Sequence, residues 1–248
     1  MRVLGQFIFL FVGVLCADEQ NDVSTLLDKA IKAHGGQDNL RKYPAVLLRG
    51  TGKLYTRGEE VAFNGAWAVQ GRSQACFTME YKIKNIQFKA VTVTNGSEAW
   101  FSLNDVLLEV TKDDLTARKD ALYAEWVTRL FPLKEKDQSF KVARLGELKI
   151  GDKPAVGINV SKKGHRDIHL FFDKSSGLLL KSACRVKDAR VSDQEFLQEN
   201  YYHDYKVVRG NRYASKLLAH KDGKLLMEIV LMEIQPKEKL DQGLFSKP

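Results

Sequence analysis

The chain has 248 residues, is 44% hydrophobic and 28% charged, and carries a formal charge of +8 with no low-complexity tract. Such a composition can build a sizeable core, which excludes a disordered or collagen-like chain. Its Lys and Arg are spread along the sequence without a dense basic block, which argues against nucleic acid and for weak attraction to an anionic lipid surface or an acidic partner.

Residues 1–17 read as an export signal. Arg2 gives the positive start, and Val3 to Leu15 form an apolar run ending at the small residues Cys16 and Ala17. The polar stretch Asp18-Glu19-Gln20-Asn21-Asp22 follows. That run is shorter than the roughly 20 apolar residues a membrane-spanning helix needs. Bulky Leu15 before Cys16 favours plain cleavage over a lipid anchor on Cys16. Residues 18–248 then form a single exported, periplasmic domain, with a charge of +7 once Arg2 is gone. In that compartment Cys76 and Cys184 could either pair or remain buried thiols.

A helix is expected from Val23 or Ser24, with Leu26, Leu27, Ala30, Ile31 and His34 on one face and Gly35-Gly36 as its end. A short turn over 38–42 stops before Pro44. The period then changes to two. Strands are expected over 46–56, 61–69, 75–83, 86–94, 99–103 and 106–110, with turns at Arg57-Gly58, Gln70-Gly71, Asn95-Gly96 and Asn104-Asp105. A second helix starts at Asp113-Asp114, carries Leu115, Leu122, Tyr123, Trp126, Val127 and Leu130 as its apolar stripe, and ends at Pro132. A charged loop over 134–138 follows. Strands resume over 140–148, 155–160, 167–172, 178–186, 196–208, 213–220 and 225–234. The connections are too short for parallel crossovers. The fold class is therefore mainly β with a few helices. About eleven antiparallel strands are expected in one curved sheet, an incomplete barrel whose concave face the inserted helix covers.

Motifs for chemistry are sparse. The chain has no Gly-x-Ser-x-Gly, phosphate loop or Cys-x-x-Cys. His165 and His169 lack an evident third ligand, and Tyr201-Tyr202-His203-Asp204-Tyr205 reads more readily as strand packing than as a polar site. No enzyme activity, metal or cofactor is expected. The apolar residues carry the functional reading. Trp67, Phe77, Phe88, Trp100 and Phe101 lie on successive strands, and Leu122, Trp126 and Leu130 lie on the helix. They could fill a core or wall a cavity for acyl chains, which needs no polar motif because each buried CH₂ contributes about 0.8 kcal/mol.

Four segments carry a resemblance. They are Ala33-His34-Gly35-Gly36 with Leu40; Thr94-Asn95-Gly96-Ser97-Glu98-Ala99-Trp100-Phe101; Phe171-Phe172-Asp173-Lys174-Ser175-Ser176-Gly177-Leu178; and Leu240-Asp241-Gln242-Gly243-Leu244-Phe245. In order and spacing the chain resembles the periplasmic lipoprotein carriers of the LolA and LolB type, the outer-membrane lipoprotein-sorting proteins. The resemblance implies a half-barrel closed by helices, acting as a monomeric carrier of lipid or lipoprotein acyl chains. It implies a lid-latching role for Arg72, although Gly71 and Ser73 stand where the family often has a basic residue and Pro. Divergent members of the fold serve as envelope-stress sensors that bind an inner- or outer-membrane protein. A hydrolase using His203 or Asp204 is a third reading.

Overall fold

The computed structural model describes residues 12–56, 58–135, 139–187 and 194–248. Among them, thirteen strands form one antiparallel sheet, in the order β6-β5-β4-β3-β2-β1-β13-β12-β11-β10-β9-β8-β7. The strands are β1 (Ala45–Thr56), β2 (Glu59–Gln70), β3 (Gln74–Ile83), β4 (Ile86–Asn95), β5 (Glu98–Leu103), β6 (Val106–Leu108), β7 (Lys141–Ile150), β8 (Lys153–Ser161), β9 (Ile168–Asp173), β10 (Leu179–Lys187), β11 (Glu195–Val208), β12 (Asn211–Lys221) and β13 (Lys224–Lys237). The sheet has thirteen strands, not about eleven; the expected total undercounts the spans read from the sequence, each of which forms a strand, even three-residue β6, which pairs with β5 across the turn at Asn104-Asp105.

Two meanders, β1 to β6 and β7 to β13, are joined where β1 pairs with β13. Their hairpins follow from local chemistry. Lys84-Asn85, Asn104-Asp105, Arg209-Gly210 and Asp222-Gly223 all take positive φ at both turn positions, which matches the twist of antiparallel strands. One expected turn is displaced. Asn95 closes β4 and the two-residue turn is Gly96-Ser97. The Asn95 side chain instead accepts from Gln74 at 3.0 Å and donates to the Phe245 carbonyl at 3.2 Å. The turn reading at Arg57 and part of the charged loop (136–138) lie outside the described residues.

Helix α1 (Val12–His34) begins well before the expected Val23 or Ser24. Most of the export-signal segment, residues 1–11, lies outside the described residues. Helix α2 (Gln37–Lys42) matches the short turn expected before Pro44. Helix α3 (Lys112–Thr128) is capped by Thr111, not by the Asp113-Asp114 pair. The Thr111 hydroxyl accepts from the Asp114 N–H at 3.1 Å while the Asp114 carboxylate accepts from the Thr111 N–H at 3.1 Å, a reciprocal cap that satisfies two otherwise orphaned donors. Past Arg129, Leu130 takes φ 65°, and a 3-10 turn (Phe131–Lys134) accommodates Pro132.

Topology explains why α3 crosses the concave face. Its segment joins β6 to β7, which are opposite edges of the sheet. Thirteen strands laid flat would place those edges about 58 Å apart at about 4.8 Å per strand. Curling brings them closer, and a 17-residue helix reaches about 25 Å across the hollow.

The two faces of the sheet are covered differently. Along β1, β2 and β3, neighbours point opposite ways, as a pleated strand requires. Ala45, Ala68 and Cys76 face the convex side, where Leu240 and the fully buried Phe245 of the C-terminal 3-10 turn (Gln242–Phe245) pack on them. Val46, Val69 and Ala75 face the concave side and meet Leu122 of α3. The largest cluster lies under β8 to β10. There Leu27, Ala30 and Ile31 of α1 and Tyr123, Trp126 and Val127 of α3 pack with Ile158, Leu170 and Phe172. Cys184 sits in this cluster and Cys76 is half-buried under the C-terminal turn; both are free thiols. Burial pushes the Cys184 thiol up to about 11.

Candidate functional site: a cavity between the sheet and helix α3

The concave face is filled at one end and hollow at the other. A cavity of about 380 Å³ lies between α3 and strands β1 to β4 and β10 to β13. Val46, Leu48, Trp67, Val69 and Phe77 line one side; Leu217, Ile229 and Leu231 line the other. Its size falls within the ordinary range of small-ligand pockets, about 300–1,000 Å³. Gly50 lets β1 lie close against β13: a Cβ there would sit 2.2 Å from the Val230 carbonyl oxygen. The Trp67 ring lies over Gly65, where a Cβ would meet it at 2.2 Å.

The expected site residues separate into groups. Trp67, Phe77 and Leu122 line the cavity. Phe101 pairs with the lining residue Thr92 and so shares its face, on the next strand out. Phe88 pairs with Tyr81 and stacks on it at 5.4 Å, towards the far end of β3 and β4. Trp100 pairs with Val93, which pairs with Cys76, and so faces the convex side. Trp126 and Leu130 belong to the packed cluster against β8 to β10. Arg72 is exposed on the turn after β2, near enough for its charge to help hold the His165 imidazole low, after burial and Lys162. His203 and Asp204 are exposed on β11. Among the described residues, no group of three or more His, Cys, Asp or Glu side chains could hold a metal.

The polar lining was not anticipated from sequence. Tyr202 and Tyr205 are three apart, which in a regular strand sends them to opposite faces. Asp204 between them takes φ 54°, and the β11–β12 ladder lapses between the pairs His203–Lys216 and Tyr205–Ala214. The Ser215 hydroxyl donates to the Asp204 carbonyl at 2.6 Å, stabilising the lapse, and both tyrosines then line the cavity. Burial raises the pKa of both phenols, keeping them neutral. On α3, Arg118, Ala121, Glu125 and Thr128 form the roof at helical spacing. Glu125, about half exposed, lies 3.6 Å from Arg129.

Helix α3 is held in place by polar and ring contacts. Arg166 joins Asp120 of α3 at 3.3 Å to Glu195 of β11 at 2.9 Å. The Tyr123 ring stacks on His165 at 4.0 Å. Arg118 donates to the Trp100 carbonyl at 3.0 Å.

His34 closes one end of the cavity. Its Nδ1 donates to the Ala30 carbonyl at 2.8 Å, and its Nε2 accepts from the Leu179 N–H at 3.4 Å. That arrangement requires the neutral ring. Burial, then the nearby Arg212 charge, lower its pKa against the Ala30 bond. A lowered folded-state pKa means that stability is fully present above the unfolded value of about 6.5 and is lost as pH falls below it. Urea unfolding at pH 8, 6 and 5 is expected to show the wild type losing more stability on acidification than His34→Gln. Parallel pH profiles for the two would refute this.

No family model matches the sequence, and no curated protein matches it. Solved structures do match the fold. A LolA superfamily protein from Nitrosomonas europaea is 10% identical, with a TM-score of 0.54 over 91% of this chain and 97% of that one. An outer membrane lipoprotein-sorting protein domain from Vibrio parahaemolyticus is 9% identical, with a TM-score of 0.55 over 91% and 96%. A DUF1329 family protein from Desulfovibrio piger is 12% identical, with a TM-score of 0.54 over 90% and 97%. The chain has the LolA-like fold, as the resemblance in the sequence led us to expect.

Proposed function

We propose that the protein is a periplasmic carrier that holds an acyl chain of a lipid or lipoprotein in the cavity under α3, with residues 1–17 as its export signal and 18–248 as the working domain. The observation that carries this reading is an apolar hollow of about 380 Å³ left open beside a closely packed core in the same domain. Its supports are the LolA-like fold and the lipoprotein-sorting domain among its structural neighbours. Among the described residues no helix is long and apolar enough to cross a membrane. Arg72, beside the loop that holds α3, would help latch the lid.

Filling the cavity tests the reading. Ala121 lines the roof, and Ala121→Trp is expected to weaken binding of a fluorescent fatty acid at least about tenfold, because apolar contact worth about 0.8 kcal/mol per CH₂ is displaced. Its thermal midpoint should stay close to that of the wild type. Undiminished binding in a folded Ala121→Trp variant would refute the cavity as the site.

A second reading, a sensor or interaction domain of the same fold that binds a membrane protein partner, is favoured by the free edge of the sheet. Val106 is 61% and Ile86 60% exposed, with Leu107 and Leu108 beside Val106 on the edge strand β6.

A further inference from the structure

We infer that the cavity selects an acyl chain with a single anionic headgroup, which binds between Arg129 and Arg212 at the end of the cavity near Tyr43. This rests on the carrier reading and adds the ligand class. The end in question is built where the start of β1, the last turn of α3 and the start of β12 converge. Arg129 and Arg212 both line it, together with Tyr43 and Tyr213.

The Arg129 side chain is only 12% exposed. One terminal nitrogen donates to the Pro44 carbonyl at 3.2 Å and another approaches Glu125 at 3.6 Å. Its Nε is buried and has no hydrogen-bond partner among the described residues. Arg212 is close enough to His34 for its charge to oppose protonation of that ring. Against these two guanidiniums stands one carboxyl, Glu125, whose side chain is 47% exposed.

Arg129, enclosed and with an unpartnered Nε, keeps part of its desolvation uncompensated, and Arg212 adds an exposed second positive charge at the rim. A carboxylate or phosphate monoester offsets it, and Arg presents a planar fork suited to both. Leu48, Trp67, Phe77, Leu217 and Ile229 offer apolar surface for the tail. Arg118 does not compete for the headgroup. It lies eleven residues before Arg129, about 16 Å along the helix, and is committed to the Trp100 carbonyl.

Three probes with one tail decide the matter: dodecanoate, dodecyl phosphate and dodecanol, each displacing a fluorescent fatty acid from the full chain at pH 8. The anionic probes are expected to bind at least about tenfold more tightly than dodecanol, the factor that one charge-assisted hydrogen bond provides. Arg212→Gln should shrink that preference to about threefold or less without weakening dodecanol. Arg129→Lys, which keeps the charge but loses the fork, should reduce it partly and guards against a folding defect in more drastic Arg129 variants. Preference for dodecanoate alone or dodecyl phosphate alone would identify the headgroup as carboxylate or phosphate. Equal affinity for dodecanol and both anions, or a preference unchanged in both variants, would overturn the headgroup inference and leave the carrier standing. Binding of none of the three would overturn the carrier reading as well.

Discussion

Gly35→Ala is expected to destabilise the fold by about 3 kcal/mol or more, while the neighbouring Gly36→Ala costs about 1–2 kcal/mol. Both glycines have positive φ, +129° at Gly35 and +86° at Gly36. They differ in surroundings. A Cβ on Gly35 would lie 2.8 Å from the Gly210 carbonyl oxygen and 2.9 Å from the Asn211 Cα, both backbone atoms that cannot swing aside. A Cβ on Gly36 would meet nothing within 4 Å. The Asn211 side chain against Gly35 is itself fixed, since it accepts from the Asn39 side chain at 2.6 Å and donates to the Asn39 carbonyl at 3.3 Å. Gly35 is thus the point where the end of α1 docks on the turn between β11 and β12. Urea midpoints of the two variants measure the difference; equal losses would show that the docking is not tight.

Trp126→Ala is expected to cost about 3–5 kcal/mol, the range for removing a buried aromatic side chain from a packed core. Trp67→Ala should cost less than half of that. Trp126 is 6% exposed, packs with Phe140 at 5.7 Å and sits in the cluster formed by α1, α3 and β8 to β10. Trp67 is only half-buried and already borders empty space, so its loss widens an existing void instead of opening a new one. The same pair separates stability from binding: Trp67→Ala should alter fatty-acid affinity while remaining folded. Chemical denaturation combined with fatty-acid titration reads both effects. Equal destabilisation of the two variants would mean that the hollow behaves as packed core.

Much of this molecule is written locally. Two-residue turns such as Asn104-Asp105 and Asp222-Gly223, set between alternating apolar residues, specify hairpins with no need of distant partners. Each of the four quoted segments also has a local task that the structure makes visible. In one of them Asp173 accepts from the Ser175 and Ser176 N–H groups at 2.8 and 2.7 Å. Burial would raise this carboxyl, but the Ser175 hydroxyl together with those N–H donors holds it down. In the last, the Asp241 carboxylate accepts from the Gly243 N–H at 2.7 Å and sets up the turn that buries Phe245 against the convex face. The apolar stripe of α3 was legible too, because a period near 3.6 survives in any context.

The site was legible only in outline. Sequence pointed to Trp67, Phe77 and Leu122, but equally to Trp126 and Leu130, because an aromatic that fills a core and one that walls a cavity have the same pattern. Tyr205 was hidden for a different reason: its direction depends on Asp204 taking positive φ, which only the Ser215 hydroxyl across the ladder makes evident. Arg129 carries no local signal at all, because its burial comes from distant parts of the chain such as Pro44, whose carbonyl it bonds.

By itself the sequence determined the antiparallel hairpins, the helices that flank them and the alternation that gives the sheet an apolar concave face, since these depend on neighbours within a few residues. Tertiary structure alone decided that β1 pairs with β13, that α3 must run from one edge of the sheet to the other, and that it settles on β8 to β10 while leaving the opposite half hollow. The reason is physical: a cavity is a mismatch between the curvature of a thirteen-stranded sheet and the volume of the side chains beneath one helix, and no local pattern of residues encodes that difference.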